Sequence, residues 1–208
     1  MGYGSGPHVW QREPEAGTRI CLGFDGSETD DYTVIRAETI DGHQFTPRFG
    51  PSRHPTVWIP AECYDHRTPR PEVHAAMAEL FDTYEIERVY CDPPLWATEI
   101  DDWAGLYGEK KIVRFATFRP AQIHTALERF VTDLISKRIT HDGCPITQVH
   151  ISNARKVARG RDVYVLAKPS NHQKIDAAMA SVLAHEAAAD SRASGWGDPT
   201  DSRMFVFR

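Results

Sequence analysis

A chain of 208 residues with 41% hydrophobic and 25% charged content has the size and make-up of one α/β domain, and no run of about 18 apolar residues is present to cross a bilayer. Its net charge of −5 excludes a body that holds nucleic acid by bulk electrostatics, so any contact with a polyanion must be local. Cys21, Cys63, Cys91 and Cys144 are scattered, with no CxxC pair and no histidine at zinc-finger spacing, which fits reduced thiols in a cytoplasm.

Residues 1–17 lack the basic start and apolar stretch of a signal peptide and read as a flexible leader. The domain is expected over residues 18–190, followed by a tail over 191–208 in which turn formers lead to an apolar patch. RICLGFDG (19–26) is a short apolar strand closed by Asp-Gly, and YTVIRAETI (32–40) is its β-branched neighbour. Asp41-Gly42 then turns the chain into QFTPRF and TVWIP, at least one of which supplies a third, antiparallel strand, with Pro51, Pro55 and Pro60 making the region edge-like. From Pro71 the period lengthens: Val73, Met77, Leu80, Phe81 and Tyr84 share one helical face. ERVYCD (87–92) is a strand stopped by two prolines, WATEIDDWAGLY a short helix and KIVRFAT (111–117) another strand. Pro120 opens the clearest amphipathic helix, through Ile123, Ala126, Leu127, Phe130, Val131, Leu134 and Ile135. A helix over 146–158, a strand at DVYVLA and a last helix over 171–189 complete an α/β order with a mixed sheet.

Three acids stand where this order meets chemistry. Asp25 ends the first apolar strand, and Asp92 ends a later interior strand, at the kind of strand terminus where α/β sheets hold ligands. Asp176 lies on the sheet-facing side of the last helix, with Ser170 and Gln173 at capping-box spacing before it. Taken singly, each also reads as a turn or capping acid. Three close carboxylates repel one another unless a hard divalent cation, Mg²⁺ or Mn²⁺, neutralises them, and a pair of such ions serves phosphodiester hydrolysis.

Two basic runs offer phosphate contacts: Lys110, Lys111, Arg114 and Arg119, and more strongly Arg155, Lys156, Arg159, Arg161 and Lys168. His172 and Lys174, within a turn of Asp176, are auxiliary candidates for orienting water or touching a phosphate. Glu28, Asp30 and Asp31 crowd the first of these acids and read as solvating a hairpin loop, with an added metal contact as the alternative. His54, His66, His141 and His150 show no ligand spacing, while Trp58, Trp96 and Trp103 read as core.

A strand acid, a meander, a second strand acid and a terminal helix acid are the layout of ribonuclease H-like nucleases. FDGSETDDYTVI, VYCDPPLW and KIDAAMASVLA resemble the three acidic motifs of the nuclease domain of tailed-phage terminase large subunits, from residue 20 to about 189. The resemblance implies a ribonuclease H-like mixed sheet flanked by helices, with Asp25, Asp92 and Asp176 binding paired Mg²⁺ or Mn²⁺ ions and cutting concatemeric double-stranded DNA. It further implies an ATPase motor domain, a small terminase subunit and a portal as partners, no membrane, and the cytoplasm of an infected bacterial host. No GxxxxGK[ST] phosphate loop occurs here, so the likeness is to the nuclease portion alone. Resolvases and transposases of the same fold, a non-catalytic DNA-binding domain, and the actin-like ATPases are alternatives, the last disfavoured by the lack of a second glycine-rich turn.

Overall fold

The computed structural model describes residues 13–197. Strand β1 (Arg19–Asp25) pairs antiparallel with β2 (Thr33–Thr39), and β2 with β3 (His43–Phe45), forming the expected meander. The proline-broken segment that follows gives only two-residue pieces: β4 (Arg48–Phe49) and β5 (His54–Pro55) pair with each other, and β6 (Val57–Trp58) pairs with β2. Helix α1 (Arg70–Thr83) carries Pro71 in its first turn and returns the chain to β7 (Glu85–Cys91), parallel to β1. Then come α2 (Ala97–Tyr107), β8 (Ile112–Arg114) parallel to β7, α3 (Pro120–Ile135) and β9 (Thr140–His141) parallel to β3. The strand order is β8-β7-β1-β2-β3-β9, a mixed sheet flanked by helices with the ribonuclease H-like arrangement.

Two elements differ from expectation. Helix α4 covers only Pro145–Asn153, because Ala154 turns to an extended backbone; Arg155–Ala158 forms β10, which pairs with β11 (Tyr164–Ala167) in a separate hairpin. Every residue of β10 is exposed, so no buried face imposed an alternation that the sequence could display. The last helix, α5, spans Asp176–Ala193 and not 171–189. Ser170 and Gln173 close a turn of their own, with Gln173 N–H donating to the Ser170 carbonyl at 3.1 Å, and the N-cap is Ile175 without a side-chain cap. At its other end the fold continues past residue 190, since Trp196 is buried in the core. Of the leader, residues 1–12 lie outside the described residues, as do 198–208 of the tail. Glu13 is held against the body of the domain, accepting a hydrogen bond of 2.6 Å from the Arg48 N–H.

Two apolar layers enclose the sheet, and the period of β1 assigns its side chains to them. Ile20, Leu22 and Phe24 join the cluster of Val73, Met77, Leu80, Trp96, Ile100 and Trp103 beneath α1 and α2. Cys21 faces the opposite cluster of α3 and α5, and Gly23 lies on that same side. Alanines line α5, and Gly23 lets it lie directly on the strand: a Cβ there would strike the backbone of Ala180 and Ala184 and sit 2.9 Å from Leu183 Cβ. The indoles of Trp58, Trp96 and Trp103 are buried.

Farther along α5 the contact becomes polar. Arg36 of β2 donates from Nε to Ser181 Oγ (3.2 Å) and from Nη1 to Asp142 (3.1 Å), whose carboxyl is held below the usual range; burial opposes this, but the Arg36 charge prevails. Glu38 accepts from Gln44 (2.8 Å) and Arg192 (3.1 Å) and meets His185 Nδ1 at 2.9 Å, while His185 Nε2 reaches Asp133 at 3.1 Å.

Candidate active site

The ladder places two of the three acids side by side. Gly23 pairs with Tyr90 and Phe24 with Cys91 in the parallel β1–β7 register, and the Asp92 N–H extends it by donating to the Phe24 carbonyl at 3.0 Å. Asp25 and Asp92 are therefore next in line on strands roughly 4.8 Å apart. Alternation from Cys21 and Gly23, and from Tyr90, directs both toward the α5 side, where Asp176 opens the helix. Two strand termini and one helix start thus bring together the acids expected from the sequence.

Burial dominates their electrostatics, with repulsion from neighbouring carboxylates added at Asp25 and Asp176. Burial, followed by the charges of Asp176, Asp92 and Asp31, pushes the Asp25 carboxyl well above the usual range, and no hydrogen-bond donor among the described residues reaches it. Burial also raises Asp92, although Thr117 donates to it twice, from its backbone N–H (3.1 Å) and from Oγ1 (2.7 Å). Asp176, only 8% exposed, is pushed up to about 6 by burial and by Asp31, against the opposing hydrogen bond of 3.2 Å from the Tyr32 N–H. A cation among these acids would remove the penalty, and their oxygen donors suit a hard ion. As they stand, no three His, Cys, Asp or Glu side chains among the described residues close on a common point at metal-ligand distance.

The loop between β1 and β2 carries a fourth acid into the group. Asp31, expected to solvate a hairpin, is half-buried and accepts hydrogen bonds from Lys168 Nζ (2.6 Å) and Lys174 Nζ (2.8 Å). Burial resists ionisation, but the two ammonium groups hold its carboxyl below the usual range. Asp30 is exposed and pairs with Lys174 at 2.9 Å, while Glu28 points to Arg67. Lys174 thus addresses Asp31; His172 is exposed, with no contact to the acids among the described residues.

The second basic run divides in the same way. Lys168 sits with the acids; Arg155 donates to the Ser152 and Ala154 carbonyls; Lys156 lies 4.1 Å over the Tyr164 ring. Arg159 and Arg161 are exposed at the hairpin tip. In the first run Arg114 pairs with Asp101 at 2.5 Å, whereas Lys110, Lys111 and Arg119 are exposed.

Sequence reasoning missed three supports of the site. Thr117 orients Asp92, the Tyr32 backbone fixes Asp176, and His150 Nδ1 accepts the Ala177 N–H at 3.0 Å, anchoring the first turn of α5. Burial pushes the His150 imidazole down to about 4, which keeps Nδ1 free to accept. None of the three carries a spacing signal, because each acts across the fold.

No family model matches the chain. The Gene 13 protein of Mycobacterium phage L5 is 28% identical over 188 residues, which is 85% of this chain and 30% of that protein. The Gene 13 protein of Mycobacterium phage D29 matches to the same extent, so the chain spans less than a third of either relative. Among solved structures, the large terminase nuclease of thermophilic phage G20c with bound magnesium superimposes with a TM-score of 0.63 at 12% identity, over 85% of this chain and 89% of that one. The HK97 bacteriophage large terminase gives 0.61 at 15% identity over 87% and 41%, and the Thermus phage P74-26 large terminase nuclease domain 0.56 at 14% over 82% of each.

Proposed function

We propose, from the premise that the chain has the fold of phage large-terminase nuclease domains, that it is the metal-dependent endonuclease of a genome-packaging terminase, cutting concatemeric double-stranded DNA by phosphodiester hydrolysis. The observation that carries this reading is the in-register placement of Asp25 and Asp92 opposite Asp176, with no cationic side chain bonded to any of the three among the described residues. Asp25, Asp92 and Asp176 would hold Mg²⁺ or Mn²⁺, as a pair of ions. Such a pair supplies an activated water and charge stabilisation at the leaving oxygen.

The remaining residues serve that centre. Thr117 fixes both oxygens of Asp92, while Tyr32 and His150 fix the turn that carries Asp176. Lys168 and Lys174, bonded to Asp31, stand beside the acids where the scissile phosphate would lie. Arg159 and Arg161, with Arg155 and Lys156 behind them, reach phosphates farther along the duplex. In the packaging assembly an ATPase motor domain, a small subunit and a portal would be the protein partners, in the cytoplasm of the infected host.

Digestion of supercoiled plasmid tests this reading. Nicking and linearisation are expected with Mn²⁺ or Mg²⁺, with loss in chelator and a steep fall as salt rises. Cleavage that survives the chelator, or no cleavage with either ion, would overturn it.

A further inference from the structure

The two loops that follow the neighbouring strands β7 and β8 each carry a large apolar side chain into solvent. Leu95, three residues beyond Asp92, is 61% exposed, and Phe118, next to the Thr117 that grips both Asp92 oxygens, is 66% exposed. Isolated exposed apolar residues are ordinary on a protein surface. These two share a position, the C-terminal ends of the neighbouring parallel strands β7 and β8, and both are held there firmly.

Leu95 has φ of +65°, a left-handed conformation that a branched side chain adopts at a cost and that persists where surrounding structure enforces it. Here Arg70 enforces it: its Nη2 donates to the Leu95 carbonyl at 3.0 Å, and its guanidinium lies 4.5 Å over the Trp96 ring. Phe118 occupies a turn closed by the Arg119 N–H on the Ala116 carbonyl at 3.1 Å, with the exposed Arg119 beside it. An aromatic ring next to an exposed guanidinium suits a duplex, the ring wedging into a base step and the cation meeting a phosphate.

We infer that Phe118 and Leu95 position the DNA duplex beside the scissile phosphate, Phe118 by wedging into a base step and Leu95 by packing against the adjoining sugar. This inference rests on the nuclease reading above. It adds a sequence-tolerant grip at the cut itself, separate from the phosphate contacts of the hairpin.

The test uses the 208-residue chain and a short duplex carrying 2-aminopurine, read by anisotropy and by base fluorescence in chelator, with plasmid nicking in Mn²⁺ alongside. Phe118→Ala should weaken duplex binding about tenfold and abolish the fluorescence change that wild type produces, with Phe118→Trp restoring both. Leu95→Gly, which removes the side chain and relaxes the backbone, should weaken binding without lowering thermal stability. If wild type nicks plasmid but Phe118→Ala binds, changes the base fluorescence and nicks as wild type does, the positioning role is wrong and the nuclease reading stands. If wild type neither binds duplex nor nicks, both fall.

Discussion

Replacing Asp176 by Asn should make the metal-free protein more stable while abolishing cleavage. A carboxyl held near 6 in the folded chain, against 3.8 for the free group, destabilises the ionised fold by about 3 kcal/mol. Asn keeps the shape and still accepts the Tyr32 N–H, and the attraction between a carboxylate and the α5 N-terminus is already contained in that net figure. A gain of up to about 3 kcal/mol follows, which for a domain of this size raises Tm by roughly 6–12 °C. The sign fixes the pH window. The folded pKa is raised, so wild type gains stability as pH falls from above about 6 toward 3.8, and the variant should show a smaller rise, the part left to Asp25 and Asp92. Asp31 and Asp142 act oppositely: their carboxyls are lowered on folding, and the stability they contribute is lost only in more acid solution, below 3.8. Thermal melts in chelator at pH 5 and pH 8, paired with plasmid nicking in Mn²⁺, read both effects. A variant that melts lower than wild type at pH 8, or that nicks at a near wild-type rate, would refute the argument.

Thr117→Val removes the hydroxyl from Asp92 but keeps the backbone hydrogen bond, so nicking should fall about tenfold with Tm nearly unchanged; an equal rate would show that Asp92 needs no such brace. Gly23→Ala should cost about 1–3 kcal/mol in denaturant melts and lower activity as well, because α5 must lift from β1 and carry Asp176 with it. Arg159→Glu with Arg161→Glu at the hairpin tip should weaken duplex binding uniformly across sequences and flatten its salt dependence, measured by titration at several ionic strengths; selective loss on one sequence would mean that the hairpin reads bases.

The three central acids were legible because each interrupts an apolar pattern at the end of a strand or on the buried side of a helix. The antiparallel start of a mixed sheet was legible for a like reason, since β1 and β2 carry long buried runs. Asp31 was not, because an acid in a run of acids beside Ser and Thr looks solvated; its burial comes from Lys168 and Lys174, more than a hundred residues away. The hairpin β10–β11 was read partly as helix because neither edge of it is buried deeply enough to impose a two-residue period. The start of α5 shifted by five residues because the Ser170–Gln173 pair, which has the spacing of a cap, closes a turn before the helix begins.

The polar layer under α5 bears on where Asp176 stands. A helix faced with alanine is nearly smooth, and on apolar contacts alone it would lose little by sliding one turn, about 5.4 Å, along β1. That displacement would carry Asp176 away from Asp25 and Asp92. Ser181 and His185, each bonded to a charged residue of β2, index the helix like teeth on a rack, since any other seating leaves Arg36 or Glu38 buried without these partners. Substituting that layer with apolar residues of equal volume should therefore preserve melting temperature but broaden the environment of α5, seen as lost amide-exchange protection and heterogeneous spectra; an unchanged, single α5 environment would show that Gly23 alone sets the seating.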